Sequence, residues 1–206
     1  MQDKGLERNI LADTGMIYVG DRYSSSDFAS GKYKDVGFMQ ADVHIEKKYK
    51  DAESDTHFST VFLGKYIVLE FPKKIGSRMM LSNSDTPLQK TAEYNGKTLE
   101  HIKTESSEFN KVFSVYTDDS VEALYILTPD FMERIQKLGE LHGNKISVYF
   151  SGNKMIIGIN DDANMFEPPD PRKPLDKDVE KAKVAKDIEL LTYIIDYLKL
   201  NRHKSK

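Results

Sequence analysis

Phe113-Ser114-Val115-Tyr116-Thr117-Asp118-Asp119-Ser120-Val121-Glu122-Ala123-Leu124-Tyr125-Ile126-Leu127-Thr128-Pro129-Asp130-Phe131-Met132-Glu133-Arg134-Ile135 is the stretch whose reading decides the fold. Thr128 supplies the side-chain oxygen wanted at a helix N-cap, and Pro129 fits the first helical position. Asp130 places negative charge at the positive end of the helix dipole. Phe131, Ile135, Leu138 and either Leu141 or His142 then recur at helical spacing, and Gly143 provides the stop. The spacing predicts a helix over 129–142. After it, Ile146, Val148 and Phe150 alternate with Ser147 and Tyr149, and Met155, Ile157 and Ile159 alternate with Ile156 and Gly158. Gly152-Asn153 stands between the two runs as a turn signal. A capped helix feeding a hairpin over 145–160 is the expected folding unit.

Towards the N-terminus the period changes to two. Met39, Ala41, Val43 and Ile45 alternate with Gln40, Asp42, His44 and Glu46, the pattern of a half-buried strand over 37–49. A charged turn over 50–56 leads into a strand over 57–71. Val61, Leu63, Ile67, Leu69 and Phe71 lie on one face of it, and Phe58, Phe62, Tyr66 and Val68 on the other. A strand apolar on both sides is central and covered twice. Pairing about the turn sets Ile45 near Val61, Val43 near Leu63 and His57 opposite Tyr49, with His44 on the face of Phe62. Met79 to Leu81 and Thr98 to Lys103 read as short strands. Ser106 or Ser107 caps a turn of helix through Phe109, and Leu6 to Leu11 forms a short helix. The Ser-rich segment Asp21 to Ser30 reads as a surface loop.

Towards the C-terminus, Pro168, Pro169, Pro171 and Pro174 exclude helix and central strand. Val184, Ile188, Leu191, Ile195 and Leu198 then form an apolar stripe on a long helix over 176–200. The resulting fold class is α+β: a mainly antiparallel sheet with a mid-chain helix and a long C-terminal helix packed on it. The expected organisation is a single α+β domain over 1–206. Within it come an N-terminal helix and loop (1–35), a sheet core (36–160), a Pro-rich connection (161–175) and the last helix (176–200).

The 206 residues carry a net charge of −3, which argues against a nucleic-acid partner. The absence of cysteine excludes disulfides, thiolate metal sites and a cysteine nucleophile. No run approaches the roughly 20 apolar residues that span a bilayer, and the first residues lack a signal-peptide core. The chain therefore reads as cytoplasmic, and as membrane-associated if it belongs to a longer protein.

Phosphate loops, dinucleotide fingerprints, nucleophile elbows and paired-histidine zinc motifs are all missing from the sequence. No cofactor is expected. The acidic pairs Asp118-Asp119 and Asp161-Asp162 each follow an expected strand, where carboxylates hold hard cations or, more commonly, cap turns. Lys73, Lys74 and Arg78 form a basic group around Gly76, suited to an anionic lipid or to simple solvation. Met79-Met80 reads as core filler.

The string from Phe113 to Pro129 resembles the signature of the bacterial family called domain of unknown function 3137. That family carries Phe-x-Val-Tyr-Ser/Thr-x-Asp-x-Val-Glu-Ala-x-Tyr-Ile-Leu-Thr-Pro. Phe28-Ala29-Ser30-Gly31-Lys32-Tyr33, Val61-Phe62-Leu63-Gly64-Lys65-Tyr66 and Phe166-Glu167-Pro168 add to the resemblance. It extends from about Leu6 to Asn201. It implies a recurring pattern at Tyr116, Asp119, Glu122 and Tyr125, with no catalytic residues to carry over. It also implies membrane helices ahead of this region and gene neighbours encoding LemA-type membrane proteins. This sequence departs in lacking such a helix, as an excised domain or a soluble member would. The expected function is a non-catalytic interaction or ligand-binding domain acting near the membrane, partnered by a LemA-type protein or an anionic lipid surface. The alternative is a carboxylate-based, metal-dependent enzyme using Asp118, Asp119 and Glu122. Lys73, Lys74, Arg78, Tyr116, Asp118, Asp119, Glu122 and Tyr125 are the candidate binding residues; none is assigned to catalysis or metal.

Overall fold

The computed structural model describes residues 5–70, 74–83, 98–160 and 177–197, with side chains of the last segment described at 185 and 188–197. Eight antiparallel strands form one sheet: β1 (Arg22–Tyr33), β2 (Val36–Lys50), β3 (Thr56–Glu70), β4 (Met79–Ser82), β5 (Glu100–Ile102), β6 (Ser114–Thr117), β7 (Ile146–Ser151) and β8 (Lys154–Ile159). Their spatial order is β1-β2-β3-β8-β7-β4-β6-β5. The helices are α1 (Arg8–Ala12), α2 (Ser107–Val112), α3 (Ser120–Ile126), α4 (Pro129–Leu141) and α5 (Lys177–Tyr197). The chain is thus α+β around an antiparallel sheet. Against the 176–200 span read from sequence, α5 covers 177–197, and residues 198–200 lie outside the described ones.

Two cores lie on the two sides of the sheet. Ile67 and Leu69 of β3, Val148 and Phe150 of β7 and Ile157 of β8 face the first, with Phe109, Phe113, Ile135, Leu138, Leu191 and Ile194 from the helical side. Tyr66 and Val68 of β3, Tyr149 of β7 and Ile156 of β8 face the second, covered by Leu6, Leu11, Met16 and Ile17 of the N-terminal segment. Met79 and Met80 point to opposite cores and are fully buried, as core filler should be. At Gly158 an added Cβ would come within 2.8 Å of the Tyr66 ring, so the ring occupies the space that a larger residue there would need. Burial pushes the phenol of Tyr149 up to about 12 and that of Tyr66 well above its ordinary value.

The deciding stretch folds as its caps dictate. Thr128 accepts the Phe131 N–H at 3.3 Å, Pro129 opens α4, and Gly143 adopts φ +61 just past its end. Met132, Ile135, Leu138 and Gly139 form the buried stripe of α4. Burying a side chain such as Ile135 or Leu138 stabilises by about 1.5–3 kcal/mol. Of the two alternatives for the last position of that stripe, Leu141 is exposed and His142 is half-buried. Ile188, expected on the stripe of α5, is exposed too; Leu191, Ile194 and Ile195 carry its buried face.

Three expectations are corrected. Asp21 to Ser30 is not a loop: residues 22–30 belong to β1, whose backbone is paired along β2. It is an edge strand with a polar face, and the register shifts between Ser26 and Ala29, where Asp27 takes φ +52. Such an irregularity protects an open edge from further pairing. In the second case, Tyr49 does face His57, but the β2–β3 register shifts at Ile45/Glu46. Ile45 therefore meets Phe62, Val43 meets Gly64 and His44 meets Leu63, each one residue beyond the simple count. The third concerns the polar face of β2, which is buried at Gln40 and Asp42 and only half-buried at His44 and Glu46. Asp42 pairs with Lys65 at 2.8 Å on the neighbouring strand.

Candidate functional site

Asp118 and Asp119 form the joint between β6 and α3. Asp118 accepts the backbone N–H of Arg78 at 2.7 Å and its Nε at 3.0 Å, and the Asp118 N–H donates to the Arg78 carbonyl at 3.2 Å. The Thr117 hydroxyl donates to that same carbonyl at 2.9 Å. Asp119 caps α3, accepting the Val121 and Glu122 N–H groups at 3.0 Å each. One turn later Glu122 reaches back to the segment before β4. There it accepts Gly76 N–H at 3.1 Å and Ser77 N–H at 2.7 Å. All three carboxylates therefore hold this joint together. Among the described residues, no three His, Asp or Glu side chains converge as a metal-ion site would require.

Hydrogen bonding to the Gly76 amide, followed by that to Ser77, holds Glu122 below the usual glutamate value of 4.5. A carboxylate stabilised in the folded state contributes above its unfolded pKa, and the contribution is lost as pH falls through the lower, folded value. Glu122→Gln is accordingly expected to flatten the acid limb of stability below pH 4.5. Chemical denaturation at successive pH values will show this as a difference between wild type and variant that shrinks on acidification. A pH-independent difference would remove Glu122 from this role.

The expected basic group divides. Arg78 is buried, its side chain only 6% exposed beside Asp118, so its guanidinium belongs to the interior. Lys74 is exposed, and Lys73 lies outside the described residues, as do Asp161, Asp162 and Phe166-Glu167-Pro168. Tyr116 packs on the second core, 5.1 Å from the His101 ring and on the opposite side of the sheet from Val115. Arg78, Asp118, Asp119 and Glu122 are thus brought together; Tyr116 and Tyr125 are not among them.

Tyr125 stands on the outward side of α3, where it is 82% exposed, beside Val121 at 79% and the exposed Leu124. The spacing of these three, i, i+3 and i+4, is that of one helical face. Behind them opens a groove of about 760 Å³ between the 104–106 loop, the end of α3 and the first turns of α4. Leu127 and Met132 form its buried floor; Leu124, Tyr125, Glu105 and Glu133 stand at its rim. Asn110 fixes the loop, accepting Thr104 N–H at 3.0 Å and donating to its carbonyl at 2.8 Å. Sequence reasoning named Tyr125 but missed Leu124, Leu127, Met132, Glu105 and Glu133. The available signal was the Val121/Leu124/Tyr125 spacing, which on so short a helix reads equally as a core stripe.

A two-faced antiparallel sheet whose signature string makes the β4–β6–α3 joint defines an α+β protein built around that string. The chain belongs to the family of proteins of unknown function DUF3137, whose model matches residues 60–200. Among solved structures it is similar to the mycobacterial trehalose monomycolate transport factor A, with TM-score 0.47 and 9% identity, over 93% of this chain and 92% of that one. Comparison with curated proteins returns no match. Among the described residues no helix is long and apolar enough to cross a membrane.

Proposed function

We propose that this chain is a non-catalytic interaction domain, acting near the membrane as the family resemblance implies, with the outward face of α3 and the groove behind it as its contact surface. The observation that carries the reading is the exposure of Val121, Leu124 and Tyr125 on a single seven-residue helix. Apolar side chains clustered beside an open groove characterise surfaces that another molecule covers. The carboxylates that a metal-dependent enzyme would use are engaged with the backbone of 76–78 and of α3. With Arg78 interior, the basic turn offers an anionic lipid one exposed cation among its described residues, Lys74. A protein partner, the LemA-type membrane protein among the candidates, therefore suits the surface better than a lipid.

A photo-crosslinking residue in place of Tyr125 is expected to give a discrete adduct in the cells that make the protein. The same residue in place of Tyr49, an exposed aromatic on β2, should give none. No adduct from position 125, or the same adducts from both, would refute the reading.

A further inference from the structure

The α3–α4 groove carries charged side chains of one sign. Its two charged lining residues are both carboxylates, Glu105 and Glu133, against a floor of Leu127 and Met132. Glu133 is paired with Lys137 on the next turn of α4, but no cation among the described residues pairs with Glu105. Around α3 the imbalance continues, since Asp119 and Glu122 are bound by backbone N–H groups and, among the described residues, by no cation. Glu108 and Asp130 have Lys111 and Arg134.

An apolar face seated on Leu124, Leu127 and Met132 brings its flanking polar residues against Glu105. Like charges juxtaposed as water is expelled oppose docking, whereas an opposite charge steers it. The exposed ring of Tyr125 adds a face on which a cation is attracted. We propose that the groove receives a basic amphipathic segment of a partner protein, with its apolar side chains on Leu124, Leu127 and Met132 and a Lys or Arg between Glu105 and Tyr125. This rests on the α3–α4 groove being the contact surface.

The test is fluorescence anisotropy of the full chain with two labelled peptides of the same amphipathic helical order, one of Leu and Lys and the other of Leu and Glu. The Lys peptide is expected to bind at least about tenfold more tightly. Tyr125→Ala should weaken it, and Glu105→Lys should abolish the preference; both positions are exposed, so neither change threatens the fold. Equal affinities, or a preference that survives Glu105→Lys, overturn the proposal. So does Lys-peptide binding indifferent to Tyr125→Ala, which would be attraction elsewhere on an acidic chain. Should the Glu peptide bind more tightly and be released by Tyr125→Ala, the groove stands as contact surface and the charge assignment alone falls. Binding of neither peptide overturns the basic segment, while crosslinking from position 125 decides the groove separately. Co-sedimentation with phosphatidylglycerol vesicles that is lost in Tyr125→Ala would reassign the surface to anionic lipid.

Discussion

Lys65→Met is expected to destabilise the protein by about 3–5 kcal/mol, the cost of leaving one member of a buried ion pair behind. Lys65 Nζ lies 2.8 Å from Asp42 Oδ1, with the two side chains 5% and 1% exposed. They are cross-strand partners on β3 and β2, beside the buried Gln40. Removing the ammonium keeps the Asp42 carboxylate out of water without its counter-charge, and that penalty exceeds the methylene packing that Met retains. In a chain of this size the loss corresponds to a fall in Tm of about 6–20 °C. The double variant Asp42→Leu/Lys65→Met should recover most of it, because replacing both charges by apolar side chains of similar volume is often neutral or better. Urea midpoints at constant m, combined as a double-mutant cycle, measure the coupling. A cost below about 1 kcal/mol for Lys65→Met would mean that water reaches the pair.

Within the signature string, substitutions should separate by role. Asp118→Ala is expected to cost about 3 kcal/mol or more, since it strips a buried guanidinium of its carboxylate and the Arg78 N–H of its acceptor. Asp119→Ala should cost about 1 kcal/mol, the worth of an N-cap on an exposed helix. Tyr125→Ala should stay within about 0.5 kcal/mol, because its ring lies in solvent. The order matters more than the values. Residues held for chemistry are often strained, and their removal leaves stability unchanged or raises it. Thermal unfolding in which Asp118→Ala matches or exceeds the wild-type Tm would return the string to the carboxylate-enzyme reading.

Much of the string's structure is local and could be read from the residues alone. Thr128, Pro129 and Gly143 bound α4 because caps depend on residues a few positions apart. The β7–β8 hairpin follows from two alternating runs and the Gly152-Asn153 turn between them. The candidate site was only partly legible. Asp118, Asp119, Glu122 and Tyr125 stood out as residue types, but their partners could not. Glu122 meets Gly76 and Ser77, and Asp118 meets Arg78, across some 40 residues of chain. The groove draws on three segments that no single window contains.

The amino-acid sequence by itself determined strands β2, β3, β7 and β8, the two apolar faces of β3 and the ends of α4, because side-chain periodicity and backbone capping are set by neighbours along the chain. Tertiary structure alone decided which faces see water. It buried Arg78, Asp42 and Lys65, drew Ser-rich β1 onto the sheet edge, and left Val121, Leu124 and Tyr125 outside. Burial depends on what lies across the sheet or beside the helix. The same alternation that reads as a wet polar face becomes a buried ion pair once a second layer covers it, and the same apolar spacing that reads as core stands in solvent at Val121, Leu124 and Tyr125.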